Sequence, residues 1–155
     1  MKPPIPQERR NAEDYHPDLL AIRRYWEEKR GTRTMPSRAD IDPIELKRFL
    51  PGIMLLDVVE DARRYVYRLV GTREVAMRGR DPTGQSIVQG FFGPSLENSL
   101  AFADAVVQGR VPVFRSGAFV APDGRVGDEE VVILPLADDG ETVNKILVYT
   151  HHRLV

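Results

Sequence analysis

The chain has 155 residues, 42% of them hydrophobic, and sets 22 Lys and Arg against 23 Asp and Glu for a formal net charge of -1. That length fits one domain with a real core, and so balanced a charge creates no field to gather nucleic acid or an anionic membrane. The absence of cysteine excludes disulfides, thiolate zinc sites, cysteine nucleophiles and any cofactor tethered through a thiol. The N-terminus lacks a secretory apolar region, and the longest apolar run, around VVILPLA, falls far short of the roughly 18 residues a membrane span needs. A cytoplasmic location is expected.

Residues 1–15 combine three prolines before position 7 with scattered charges and no apolar period, which reads as a mobile arm. From Pro17, the residues Leu19, Ile22 and Trp26 recur at helical spacing, with Pro17 at a first helical position and Gly31 as a stop. The opposite side carries Arg23, Arg24, Glu27, Glu28, Lys29 and Arg30, a mixed-sign face suited to solvent. The greasy stripe must be buried on the far side of a sheet, on the same helix of a second subunit, or on both, so Leu19, Ile22 and Trp26 are interface candidates in a homodimer. In MPSRADIDP, at 35–43, two prolines mark a rigid connector. Asp42, Pro43 and Glu45 then predict a short helix over IDPIELKRFLP, ended by Pro51.

IMLLDVVE and RYVYRLV predict an antiparallel hairpin, followed by a brief helix from Thr72 to Met77. GRDPTGQS, at 79–86, has the glycine spacing of a phosphate loop, but Gln85 stands where its lysine belongs and Pro82 deletes an amide. No long helix leaves it, so a turn is the expected structure. A longer helix runs from near Ser95 to Gly109 with Leu96, Leu100, Ala103 and Val107 along one side. Three strands follow, separated by PDG and DDG turns. The fold class is therefore α+β: a five-stranded antiparallel sheet with the central helices on one face, preceded by amphipathic N-terminal helices.

Trp26, MPSRADIDP, YRLVGT at 67–72, GRDPTGQSI and ILPLADDG at 133–140, in that order and spacing, resemble the PAS domains, and more closely the single-domain bacterial PAS-like family of alphaproteobacterial type. The resemblance divides residues 16–155 into an N-terminal helical extension, 16–50, and a PAS core, 52–153. It implies sensing or protein interaction rather than chemistry. It also implies a pocket between the central helices and the inner face of the sheet. Strand positions Leu69, Phe114, Ser116, Leu134 and Val148 would line it, together with Val75, Phe91, Phe102 and Val106. Each of these equally serves an ordinary core. Ser116 discriminates, because a hydroxyl among apolar neighbours either bonds backbone or meets a ligand, and its neighbour Arg115 should face the other way.

Within such a family the covalent flavin adduct and the thiol-linked chromophore both need a cysteine, and the common haem site needs a histidine on the central helix; this chain has neither, so no cofactor is expected. His16, His151 and His152 read as surface groups. Adjacent histidines on a strand face opposite ways, so no metal site is expected. An acid/base enzyme would have to draw on Glu97, Asp104 or an Asp57–Arg68 cross-strand pair, and without a nucleophile or interior histidine catalysis is not expected. Two readings remain: a regulatory domain in bacterial signal transduction that binds a small apolar molecule or a signalling protein, and a ligand-free dimerisation or interaction adaptor. A closed apolar cavity of roughly 300 Å³ would mark the first; a filled interior with an exposed apolar patch would mark the second.

Overall fold

The computed structural model describes residues 11–93 and 95–154. Five strands, β1 (Ile53–Val58), β2 (Tyr65–Val70), β3 (Val113–Val120), β4 (Val126–Leu136) and β5 (Lys145–Leu154), form one antiparallel sheet in the order β2-β1-β5-β4-β3. Three α-helices accompany it: α1 (Pro17–Arg30), α2 (Thr72–Arg78) and α3 (Leu96–Gly109). The expected α+β architecture is present.

In the middle of the sheet the period-two alternation disappears: every residue from Val131 to Ala137 is buried, as is every residue from Ile146 to Thr150. A sheet segment apolar on both sides needs a cover on both sides. α3 supplies the inner cover, packing Ala103 and Val106 over β3 and β4. α1 supplies the outer one, lying across β4 and β5 with Leu19, Ile22 and Trp26 buried. The Trp26 indole N–H donates to the Pro135 carbonyl at 2.7 Å, which fixes the helix at one point along the strand. Of the destinations open to the α1 stripe, the structure takes the chain's own sheet. Leu19 and Ile22 are wholly buried there, so these three residues offer no surface to a second subunit.

α1 starts where Pro17 permits, with the His16 ring nitrogen Nδ1 accepting from the Asp18 N–H at 3.1 Å, and stops at Gly31 in a positive-φ conformation. The arm expected over 1–15 is only partly outside the fold. Residues 1–10 lie outside the described residues, whereas Ala12–Asp14 form a 3-10 turn and Tyr15 is buried with its ring tilted 5.0 Å from Phe114. The helix expected over 42–51 is also different. Its bonds close tight turns, Glu45 N–H to the Asp42 carbonyl and Leu46 N–H to the Pro43 carbonyl, and a 3-10 segment runs over Lys47–Gly52. Pro51, within the 3-10 segment, donates no amide, and the turns still bury Leu46 and Phe49.

GRDPTGQS is a turn. Gln85 N–H closes onto the Pro82 carbonyl, the Asp81 carboxylate accepts from the amide and hydroxyl of Thr83, and Gly84 takes a φ of +88°.

Trp26→Ala removes the anchor of the outer cover and should lower unfolding free energy by about 3–5 kcal/mol in denaturant titration, whereas Ile44→Ser, at a residue 81% exposed, should stay within about 0.5 kcal/mol.

Candidate functional site

The inner face presents Met54 and Leu56 of β1, Tyr67 of β2, Val131 and Ile133 of β4, and Ile146 and Val148 of β5. With α3 and the 85–93 segment closing over them they leave a cavity of about 80 Å³, walled by Ile87, Phe91, Phe92 and Phe102. Ordinary ligand pockets measure roughly 300–1,000 Å³. The interior is close to filled.

Of the residues considered for a pocket, Phe91, Phe102 and Val148 line this cavity. Val106 is fully buried on α3 in the core behind it, and Val75 is half-buried on α2 away from it. Four of the expected lining residues face elsewhere. Leu69 lies on the outer face because β2 carries a bulge: Leu55 pairs with Leu69 but Leu56 pairs with Tyr67, so Arg68 is an extra residue that reverses the alternation. Phe114, Ser116 and Leu134 are one residue out of phase. Phe114 meets Tyr15 beneath α1, Ser116 pairs with Glu130 and borders both an outer cleft and the cleft beside Ser99 and Phe102, and Leu134 pairs with Leu147 on the outer side. Arg115, expected to face outward, instead points inward with its guanidinium 5.7 Å from the centre of the Phe102 ring.

Two polar clusters flank the cavity. His152, expected at the surface, has a side chain only 6% exposed; its Nε2 lies 3.0 Å from Glu74 of α2, and its Nδ1 has no hydrogen-bond partner. Glu129 on the neighbouring strand stands 3.9 Å from that Nδ1 and receives Arg115 at 3.0 Å. Asp104 of α3 accepts from Arg64 and, at 2.5 Å, from the Tyr65 hydroxyl; burial and then that carboxylate push the Tyr65 hydroxyl above its ordinary value. Glu97 is exposed, and Asp57 is held by Lys145 at 2.6 Å and by the far end of Arg68 at 3.9 Å. None of the described cavity-lining residues is an aspartate, a glutamate or a histidine.

On the outer face His16 and His151 stack at 3.7 Å with nearly parallel rings, beside Asp18, so their ligand atoms lie within 4.8 Å of one another. The His16 Nδ1 already accepts from the Asp18 amide. Further across this face, between the 38–51 segment and β1–β2, lies an open groove of about 460 Å³. Leu46, Leu50, Ile53, Leu55 and Leu69 form its floor, and Arg38 and Lys47 stand at its rim with no acidic residue in its lining.

Residues 15–149 match the family model of the PAS domain, and the chain belongs to that family. No curated protein matches it. Among solved structures, it is similar to the LOV domain from the Erythrobacter litoralis EL346 blue-light activated histidine kinase, at 12% identity and a TM-score of 0.52 over 66% of this chain and 95% of that one. It is similar also to a light-oxygen-voltage domain studied with a flavin analogue, at 14% identity and TM-score 0.54 over 71% and 82% of the two chains. VqmA bound to DPO matches at 16% identity and TM-score 0.55 over 71% of this chain and 56% of VqmA. At these identities the likeness is one of fold. PAS folds serve as signal-sensing modules, and among the described residues no helix is long and apolar enough to cross a membrane.

The residues that residue patterns left unnoticed are Tyr67, Arg78, Phe92 and Ser99 in the cavity wall and Glu74 with His152 beside it. A signal existed for His152, since the adjacent pair at 151 and 152 must send one ring inward.

Desolvation, then the neighbouring charges of His16 and Arg73, hold the His151 imidazole below its ordinary 6.5, with Glu130 and Asp18 acting the other way. The unfolded chain therefore takes up this proton first, so the stability contribution is intact above about pH 6.5 and is lost as pH falls toward the folded value. His151→Gln should flatten the fall in Tm between pH 7 and 5.

Proposed function

We propose that this chain is a cytoplasmic, non-catalytic regulatory domain of a signal-transduction system, and that it works by contact with a partner protein through the outer groove. The observation that carries this reading is the contrast between two pockets on opposite faces of the sheet, about 80 Å³ beneath α3 against about 460 Å³ of apolar groove on the outer side. A contiguous apolar surface left uncovered on a folded domain marks an interaction site. The groove's occupant is an apolar, amphipathic segment with an acidic flank. Its apolar side would meet Leu46, Leu50 and Leu69; its carboxylates would meet Arg38 and Lys47, which pair with no carboxylate among the described residues.

Three other assignments are less well supported. The flavin of the light-sensing relatives needs far more room than the inner cavity offers, and the chain has no cysteine to form a photoadduct. For catalysis, no aspartate, glutamate or histidine lines the cavity among the described residues. A homodimer built on Leu19, Ile22 and Trp26 would require α1 to leave its own sheet.

A photo-crosslinking residue placed at position 69, in the groove, and separately at position 120, on the exposed far edge of the sheet, tests this in cells that express the chain. Position 69 should yield one discrete adduct with a signalling protein, position 120 should not, and Lys47→Glu should reduce the adduct several-fold. Equal labelling from both positions, or an adduct indifferent to Lys47→Glu, contradicts the reading. An adduct of the chain with itself replaces the partner by a second copy.

A further inference from the structure

We propose that His16, Asp18 and His151 bind a divalent transition-metal ion that ties the start of α1 to β5. The proposal goes beyond the groove reading and concerns another part of the outer face.

His16 precedes α1, Asp18 lies in the first turn of that helix, and His151 meets them from β5. One ligand atom from each lies within 4.8 Å of the other two, and the His16 Nδ1 stands 3.8 Å from the Asp18 carboxylate. Donors held at about 2.1 Å around a tetrahedral ion stand roughly 3.4 Å apart, so the longest gap closes by about 1.4 Å or less. The two rings stack at 3.7 Å with 17° between their planes. A nitrogen lone pair lies in the plane of its ring, so one ring turns before both meet a single ion. His16 is the ring placed to turn. It stands outside the helix with a side chain 35% exposed, and its ring makes one hydrogen bond among the described residues, the 3.1 Å contact from the Asp18 amide.

The donor set selects the ion. Two imidazole nitrogens with one carboxylate suit zinc, nickel, cobalt(II) and copper(II), whereas magnesium and calcium take oxygen ligands. The carboxylate is already oriented: its Oδ2 accepts from the Tyr149 hydroxyl at 3.3 Å and its Oδ1 from Arg48 at 3.2 Å. Hydrogen bonds of this kind behind a ligand hold it in a coordinating pose. His16 and His151 also border an outer cleft of about 530 Å³, which gives the ion an approach and leaves room for water as a fourth ligand. Glu130, in the wall of that cleft and bonded to the His16 amide at 2.9 Å, adds a second negative charge against the positive charges of Arg48 and Arg73. His16 and His151 are far apart in sequence, so the adjacent pair at 151 and 152 gives no hint of the cluster.

The chain contains three histidines, and the His152 ring is buried against Glu74, so a site with two imidazoles can be built only from His16 and His151. The test uses the untagged full chain at about pH 7.5, where imidazole is unprotonated and able to ligate. Zinc should bind at one ion per chain and raise Tm saturably, by about 3–5 °C at tenfold excess over half-saturation, while magnesium at equal concentration should not. Cobalt(II) should develop the visible absorption of a four-coordinate ion, bleached by added zinc. His16→Gln and His151→Gln should each abolish both the Tm shift and the cobalt band while the far-ultraviolet circular dichroism stays native. If the strand variant His151→Gln fails to fold, His16→Gln, at a residue outside helix and sheet, decides. An equal response to magnesium, a cobalt spectrum that stays that of the hydrated ion, or a shift and band retained in His16→Gln overturns the proposal. None of these results bears on crosslinking from position 69, so the two readings fail separately.

Discussion

The centre of the sheet is apolar on both sides, and this is the constraint from which the rest of the structure follows. Along β4 and β5 no polar residue interrupts the burial from Val131 to Ala137 or from Ile146 to Tyr149. One helix can cover only one face. α3 takes the inner side and α1 is recruited to the outer side, with the Trp26–Pro135 bond setting its position and the His16 cap and Gly31 setting its length. An N-terminal helix that would otherwise be a free interaction element is thereby spent within the domain.

The consequence for function is a division between the faces. α1 spans β4 and β5 but does not reach β2, and the 3-10 segment that follows it covers β1 incompletely, so an apolar strip stays open beside the basic rim of Arg38 and Lys47. On the inner side the aromatic residues Phe91, Phe92 and Phe102 take up most of the volume that a bulky ligand would need, and what they leave is a small space with a charged corner. Strands run through both environments. β1 contributes Met54 and Leu56 inward and Ile53 and Leu55 outward.

The architecture was legible in the residues because it depends on local signals: Pro17 and Gly31 around an apolar stripe, the serine before α3, the Asp-Gly turns between the last three strands. The lining of the cavity was less so. Facing along a strand depends on absolute phase, and Phe114, Ser116 and Leu134 each fell one residue from the inner row. Leu69 had the expected alternation with Tyr67 but lies beyond the bulge at Arg68, a feature that no residue type announces. Arg78 went unnoticed because a charged residue at the end of a short helix ordinarily faces water, and only the fold brings it over the cavity. The 42–51 segment misled in a different way: Asp42 accepts from the Ile44 amide as a cap would, but Glu45 turns to Tyr25 and Lys29 while the Asp42 amide goes to the Tyr25 hydroxyl, so the capping box is not made and the segment closes in tight turns.

Hydrogen exchange of the full chain, followed by mass spectrometry, tests the two-sided cover most directly. If α1 is one wall of the core, amides of residues 19–27 exchange with the same slow opening as those of β4 and β5, and Trp26→Ala accelerates both together. Exchange across α1 orders of magnitude faster than in β4 and β5 would mean that the helix does not close the outer face, and would contradict a core walled on both sides.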